Sequence, residues 1–185
     1  MRTLLSLALS LAIFSTTGAL AAPRDGGPRI RPQDARMTQV LKEGAARSAT
    51  FRALVDRIES SNVIVYVAVN PLLRSSLSGT LTWMTRAGGY RYVRASISPE
   101  MLFDQMIATV AHELQHAVEV IGDESVIDEK SLTALYRRIG HESQAAVPAG
   151  WETVAAQETG WQVRRELASV PASTTLARAS EWTRS

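Results

Sequence analysis

The chain has 185 residues, 20 Lys and Arg against 18 Asp and Glu, and a formal net charge of +2. So small an excess, despite a pI near 9.3, gives no basic stripe of the kind a phosphate backbone needs and speaks against nucleic acid as a partner. There is no cysteine, which excludes a disulfide framework and a lipid-modified cysteine anchor.

Residues 1–21 carry Arg2, an apolar run from Leu4 to Phe14, and then Ala19-Leu20-Ala21. A charged start, a short apolar core and an A-x-A site form the pattern of a cleaved secretory signal, and the run is too short to span a bilayer. The expectation is an exported protein, periplasmic or secreted, with no stable membrane insertion after signal cleavage. A retained segment would instead tether the protein to the membrane. The proline, glycine and charge of "APRDGGPRIRPQD" then read residues 22–33 as a flexible leader. Residues 34–170 make one domain, and 171–185 a polar tail.

Inside the domain, Phe51, Leu54, Val55 and Ile58 recur at helical spacing and predict a helix at least over 48–59. "NVIVYVAVNP" (62–71) is dense in β-branched residues and closed by Asn-Pro, which predicts a buried strand. "GTLTWMTR" and "YRYVRASI" flank "AGG" and predict a hairpin, with Tyr90, Tyr92, Arg94 and Ser96 on the wetter face of its second strand. Ser98 as N-cap, Pro99 at the first helical position and Glu100 behind it predict a helix that runs to Ile121 and ends at Gly122. A shorter amphipathic helix over 128–140, a loop at "HESQAAVPAG" and a last helix over 151–170 complete the order. An N-terminal helix, about three strands and three further helices argue for an α+β domain.

The chemistry concentrates in "TVAHELQHAV", where Glu113 is the sole charged residue. His112 and His116, four apart on a helix, point the same way and can share one ion; Glu113 lies one position round. This is the H-E-x-x-H pattern, in which zinc takes the two imidazoles and the glutamate is general base toward a water on the metal. Two satisfied histidines and a surface glutamate are the bland alternative. It is strained, because buried polar groups are costly unless paired and three fall together in one apolar stretch.

"HELQH" within residues 109–118 resembles the active-site helix of the zincin metallopeptidases. The resemblance implies a zincin-like fold, one Zn2+, and a peptide or protein substrate held along a strand edge, for which the analogous segment is "YRYVRASI". The metzincin branch is excluded, since position 119 is Glu and 122 is Gly. In the gluzincin branch the third ligand is a glutamate on a later helix, and "WETVAAQETG" weakly resembles that segment. Position 156 is Ala where many gluzincins have an aspartate, so Asp123 and Asp128 are the candidates for orienting a ligand.

A catalytic zinc commonly takes three protein ligands. Glu119 lies roughly 10 Å along the helix from His112, too far to close a tetrahedron with both histidines, and reads as solvated or as a carboxylate behind the ligands. Glu152 is the preferred third ligand, on a small-residue face with Ala155, Ala156 and Thr159. Glu158 and His141 are its rivals, and a site with no third protein ligand stays open. Tyr136 or His141 could steady the oxyanion of a hydrolysis. The tryptophans read as core or rim packing. The combined expectation is a zinc metallopeptidase with Glu113 as catalytic base; the alternative is an exported, noncatalytic, metal-stabilised binding module on the same scaffold.

Overall fold

The computed structural model describes residues 26–143 and 150–170. The expected signal, the polar tail and most of "HESQAAVPAG" lie outside the described residues.

The chain opens with a short strand β1 (Ile30–Pro32), followed by helices α1 (Ala35–Arg47) and α2 (Ala49–Glu59). The stretch read as leader therefore contributes a strand, and the N-terminal helix is two helices. Their junction is Ser48. Its N–H closes α1 onto the Gly44 carbonyl at 2.9 Å, while its hydroxyl accepts from Phe51 N at 2.9 Å and opens α2. At the start of α1, Asp34 accepts from Met37 N at 2.8 Å.

Strand β2 (Val63–Val69) runs parallel to β1 and to β4 (Tyr90–Ile97), and β3 (Gly79–Ala87) pairs antiparallel with β4. The order is β1-β2-β4-β3, a mixed four-stranded sheet with β3 at one edge. The expected hairpin forms. Ala87 pairs with Tyr90, and Gly88 and Gly89, both at positive φ, supply the two-residue turn. Its second strand is not the open one: β4 is hydrogen-bonded on both sides, which corrects the placing of residues 90–97 at the substrate side.

Helix α3 (Phe103–Gly122) lies across the sheet and buries Met106, Ile107, Val110, Leu114, Ala117 and Val120. Val65, Val67, Val93, Ala95 and Ile97 belong to the same core. The helix begins four residues later than Ser98-Pro99-Glu100 predicts. Ser98 N–H is tied to Ser78 O at 2.9 Å, and its hydroxyl accepts from Glu100 N at 3.3 Å, so the residue finishes the sheet and caps only a local turn. The other end of α3 is closed by a side chain. Arg91, 3% exposed, donates to Val120 O and Asp123 O at 2.7 Å each and to Asn62 Oδ1 at 2.7 Å.

Helix α4 (Glu129–Ile139) is capped by Asp128 and ends at Gly140, as its pattern predicts. Strands β5 (His141–Ser143) and β6 (Gly150–Glu152) pair antiparallel, and α5 (Val154–Ser169) follows. Trp151 and Glu152 thus belong to a strand, not to the last helix. Helix α5 packs on α3 through Ala156, Gly160, Val163 and Leu167, the buried stripe at helical spacing. Ala155 is exposed. Among the described residues the domain is α+β, with five helices and this mixed sheet.

Candidate metal centre

His112 and His116 fall one turn apart in the middle of α3, where the surrounding residues are apolar because the helix crosses the sheet there. Their rings meet edge to face, with centroids 5.0 Å apart. Glu152 reaches both from β6: its Oε2 is 3.2 Å from His112 Nε2 and its Oε1 3.6 Å from His116 Nε2. One ligand atom from each of the three residues lies within 4.8 Å of the others. Donors on a tetrahedral metal with bonds of about 2.05 Å stand roughly 3.3 Å apart; the two Glu152 distances lie near that spacing, and the three residues could hold a metal ion.

His116 is oriented from behind. Its Nδ1 lies 2.8 Å from Glu119 Oε2, and the Thr153 hydroxyl donates to Glu119 Oε1 at 2.6 Å. With an ion bound in place of the Nε2 proton, a proton on Nδ1 facing that carboxylate would leave the Nε2 lone pair to the metal, the arrangement that supports metal-bound histidines. The Glu119 side chain is 8% exposed, so it is not solvated. Asp123 and Asp128 do not serve: Asp123 binds Ser125 and Arg138, and Asp128 caps α4 through Ser131. The signal for Glu119 was present in the sequence as a carboxylate three positions after His116, on its face. Thr153 was readable as the N-cap of α5, with its hydroxyl accepting from Ala156 N at 3.1 Å.

Electrostatics follow from this crowding of acids and imidazoles. Burial opposes ionisation of Glu152, yet the hydrogen bonds from His112 and His116 outweigh it and hold its carboxyl well below the usual range. Burial also opposes a charged His116, but the bonds to Glu119 and Glu152 prevail and push it up to about 10. Glu113 goes the other way. It is 3% exposed, and burial raises its proton affinity more than the nearby imidazoles lower it. Its Oε2 has no hydrogen-bond partner among the described residues.

Two cavities of about 260 and 340 Å³ share His112, Glu113 and Glu152 as a common wall. The first strand residues of β3 form the roof. A methyl built on Gly79 would lie 2.5 Å from Glu113 Oε1 and 2.9 Å from Thr109 Cγ2, so only glycine lets β3 pass this close over the carboxylate. On the opposite side Gly160 of α5 faces Ala108 O and His112 Cβ, and a methyl there would lie 3.5 Å from each, at ordinary contact distance.

The rival ligands are elsewhere. Glu158 is exposed and lines a separate depression with Thr50 and Arg165. His141 is exposed on β5, paired in register with Glu152 but not part of the converging group. Tyr136 lines the first cavity; its hydroxyl donates to His116 O at 3.3 Å and its ring stands edge-on to His116. Trp83 and Trp151 also line that cavity, and both pack partly on the core. Comparison of the chain with protein-family models, curated proteins and solved structures gives no match.

Proposed function

We propose that the chain is a zinc-dependent hydrolase of the zincin type that cleaves peptide bonds, with the ion held by His112, His116 and Glu152 and with Glu113 as general base. The observation that carries the reading is Glu113 itself. A buried carboxylate with a purely structural role is expected to have its oxygens paired; here Oε2 is unpartnered beside two imidazoles, at the wall of a cavity. When bound, zinc would supply a Lewis acid for the scissile carbonyl and lower the pKa of a water in its open position.

The protein's own groups do the rest. Glu113 takes the proton of the attacking water, and its raised proton affinity suits it to hold that proton until the leaving amine accepts it. Glu119, backed by Thr153, fixes the His116 ring and its tautomer. The outer edge of β3 offers backbone N–H and C=O groups to an extended peptide along the cavity. The reading includes export, on the strength of Arg2, the apolar run and Ala19-Leu20-Ala21. No described helix is long and apolar enough to cross a membrane.

Elemental analysis of purified protein and of four variants tests the site. Wild type and Glu158→Ala are expected to hold one zinc, and His112→Ala and Glu152→Ala to lose it. Glu113→Gln should keep the ion and lose proteolysis of an unfolded protein substrate. Proteolysis retained in that variant refutes the general-base role. A wild-type protein that neither holds nor takes up an ion refutes the whole reading.

A further inference from the structure

The cleft over His112, Glu113 and Glu152 has two unlike halves. One runs along β3 toward Trp83, walled by Leu81, Trp83, Leu132 and Trp151 and rimmed by Glu129. The other lies under the start of β3, beside Ser78, Thr109, Gln157 and Arg164. Arg164 is the sole Lys or Arg among the described residues lining either half. It follows Gly160, which rests on His112, by one helical turn of α5. Neither its guanidinium nor the Gln157 side-chain amide is engaged by another described residue.

The direction of a bound peptide follows from β3. The strand runs from Gly79, over the Arg164 half, to Trp83, over the apolar half. A peptide pairing antiparallel with its free edge runs the opposite way, from the apolar half to the Arg164 half. The residue just after the scissile bond then lies over Arg164 and Gln157. A guanidinium fork there matches a carboxylate with two parallel hydrogen bonds. Glu129 repels a carboxylate in the other half, so the two ends of the cleft read opposite features of the same peptide.

We propose that the cleft selects peptides carrying Asp or Glu immediately C-terminal to the cleaved bond, held by Arg164 with Gln157 as second donor. This deepens, and rests on, the peptidase reading.

The test uses peptides that differ only at that position, with Asp, Asn or Lys. Wild type is expected to cleave the Asp peptide about fivefold more efficiently in kcat/KM than the Asn peptide, the size of a solvent-accessible ion pair. Arg164→Gln should bring that ratio to about one, and Arg164→Glu should invert it in favour of Lys. Arg165→Glu, the same charge change one residue on, should leave the wild-type ratio. A ratio untouched by both Arg164 variants overturns the proposal, as does a preference for an acid before the bond. Calorimetry with zinc-loaded Glu113→Gln protein and the same peptides separates the two readings. An Asp preference in binding that Arg164→Gln removes, with no cleavage by wild type, supports the recognition and refutes hydrolysis alone. Cleavage with no Asp preference in rate or binding refutes the recognition and leaves hydrolysis standing.

Discussion

Thr153 and Glu119 are joined by a 2.6 Å hydrogen bond between α5 and α3, and that bond connects the N-cap of one helix to the histidine-orienting carboxylate of the other. Metal affinity is therefore expected to depend on a residue pair that never touches the ion. Glu119→Gln keeps the shape but weakens the acceptor facing His116 Nδ1. Zinc affinity should fall about tenfold, within the range seen when such supporting partners are changed, and competition with a chromophoric chelator measures it. An affinity equal to wild type would show that His116 is fixed by packing alone.

Gly79→Ala is expected to separate ion binding from turnover. The added methyl would meet the Glu113 carboxylate at 2.5 Å and Thr109 Cγ2 at 2.9 Å, and neither imidazole nor Glu152 is among its nearest neighbours. The variant should bind zinc as wild type does, while kcat falls at least about tenfold, since a misplaced base cannot reach the water's proton. Loss of zinc together with activity would place the damage in the fold.

Arg91→Met should destabilise the protein without touching the cleft. The substitution roughly conserves volume but removes the charged donor from Asn62 Oδ1 and from Val120 O and Asp123 O, which keep only the 3.3 Å bonds from Asp123 N and Val126 N. A hydrogen bond from a charged donor is worth about 1.5–3 kcal/mol, so a loss of about 2 kcal/mol in chemical denaturation is expected, the two carbonyls keeping their backbone partners. A change below about 1 kcal/mol would mean that the end of α3 finds another partner.

Acid sensitivity should trace in part to Glu166. Burial opposes its charge, but Ser48, Thr50 and Gln162 donate to it and hold it at about 2. Its folded pKa lies below the unfolded one, so its contribution is present above about pH 4.3 and is lost as pH falls through the folded value. Glu166→Gln should therefore lower stability at pH 7 and flatten the fall between pH 5 and pH 2, as followed by denaturant melts. A variant with the wild-type acid profile would assign that fall to other carboxylates.

The legible parts of this fold are those whose signal is local. His112 and His116 share a face by helical period alone, with Glu113 one position round, and Val63–Val69 declares itself by β-branched density. Asp128 and Gly140 bound α4 by their own chemistry. Glu152 was found for the wrong local reason. Its helix begins two residues later, and it reaches the imidazoles because β6 pairs with β5 and Thr153 turns the chain into α5. The three residues of β1 are too few to show alternation, and their partner in β2 lies beyond two helices. Strand order is likewise invisible locally: nothing in "YRYVRASI" says that β2 takes its free side and leaves β3 at the edge. Ser98 imitates a helix start because it caps a turn with the same atoms.

Helix α5 is pinned at two distant points. Arg47 grips its C-terminal carbonyls at Leu167 and Val170 while holding Asp104 with both arms of its guanidinium. The opposite end leads directly from the cluster of Glu152 and Thr153. The helix is thus a beam between the end of α1 and the cleft over His112 and Glu113. Stripping the ion would leave the Thr153–Glu119 bond, the β5–β6 pairing and the packing on α3 in place, so the beam would stay seated at both ends. A chain that cannot be stitched by sulfur bridges would in this way keep its architecture ready for reloading.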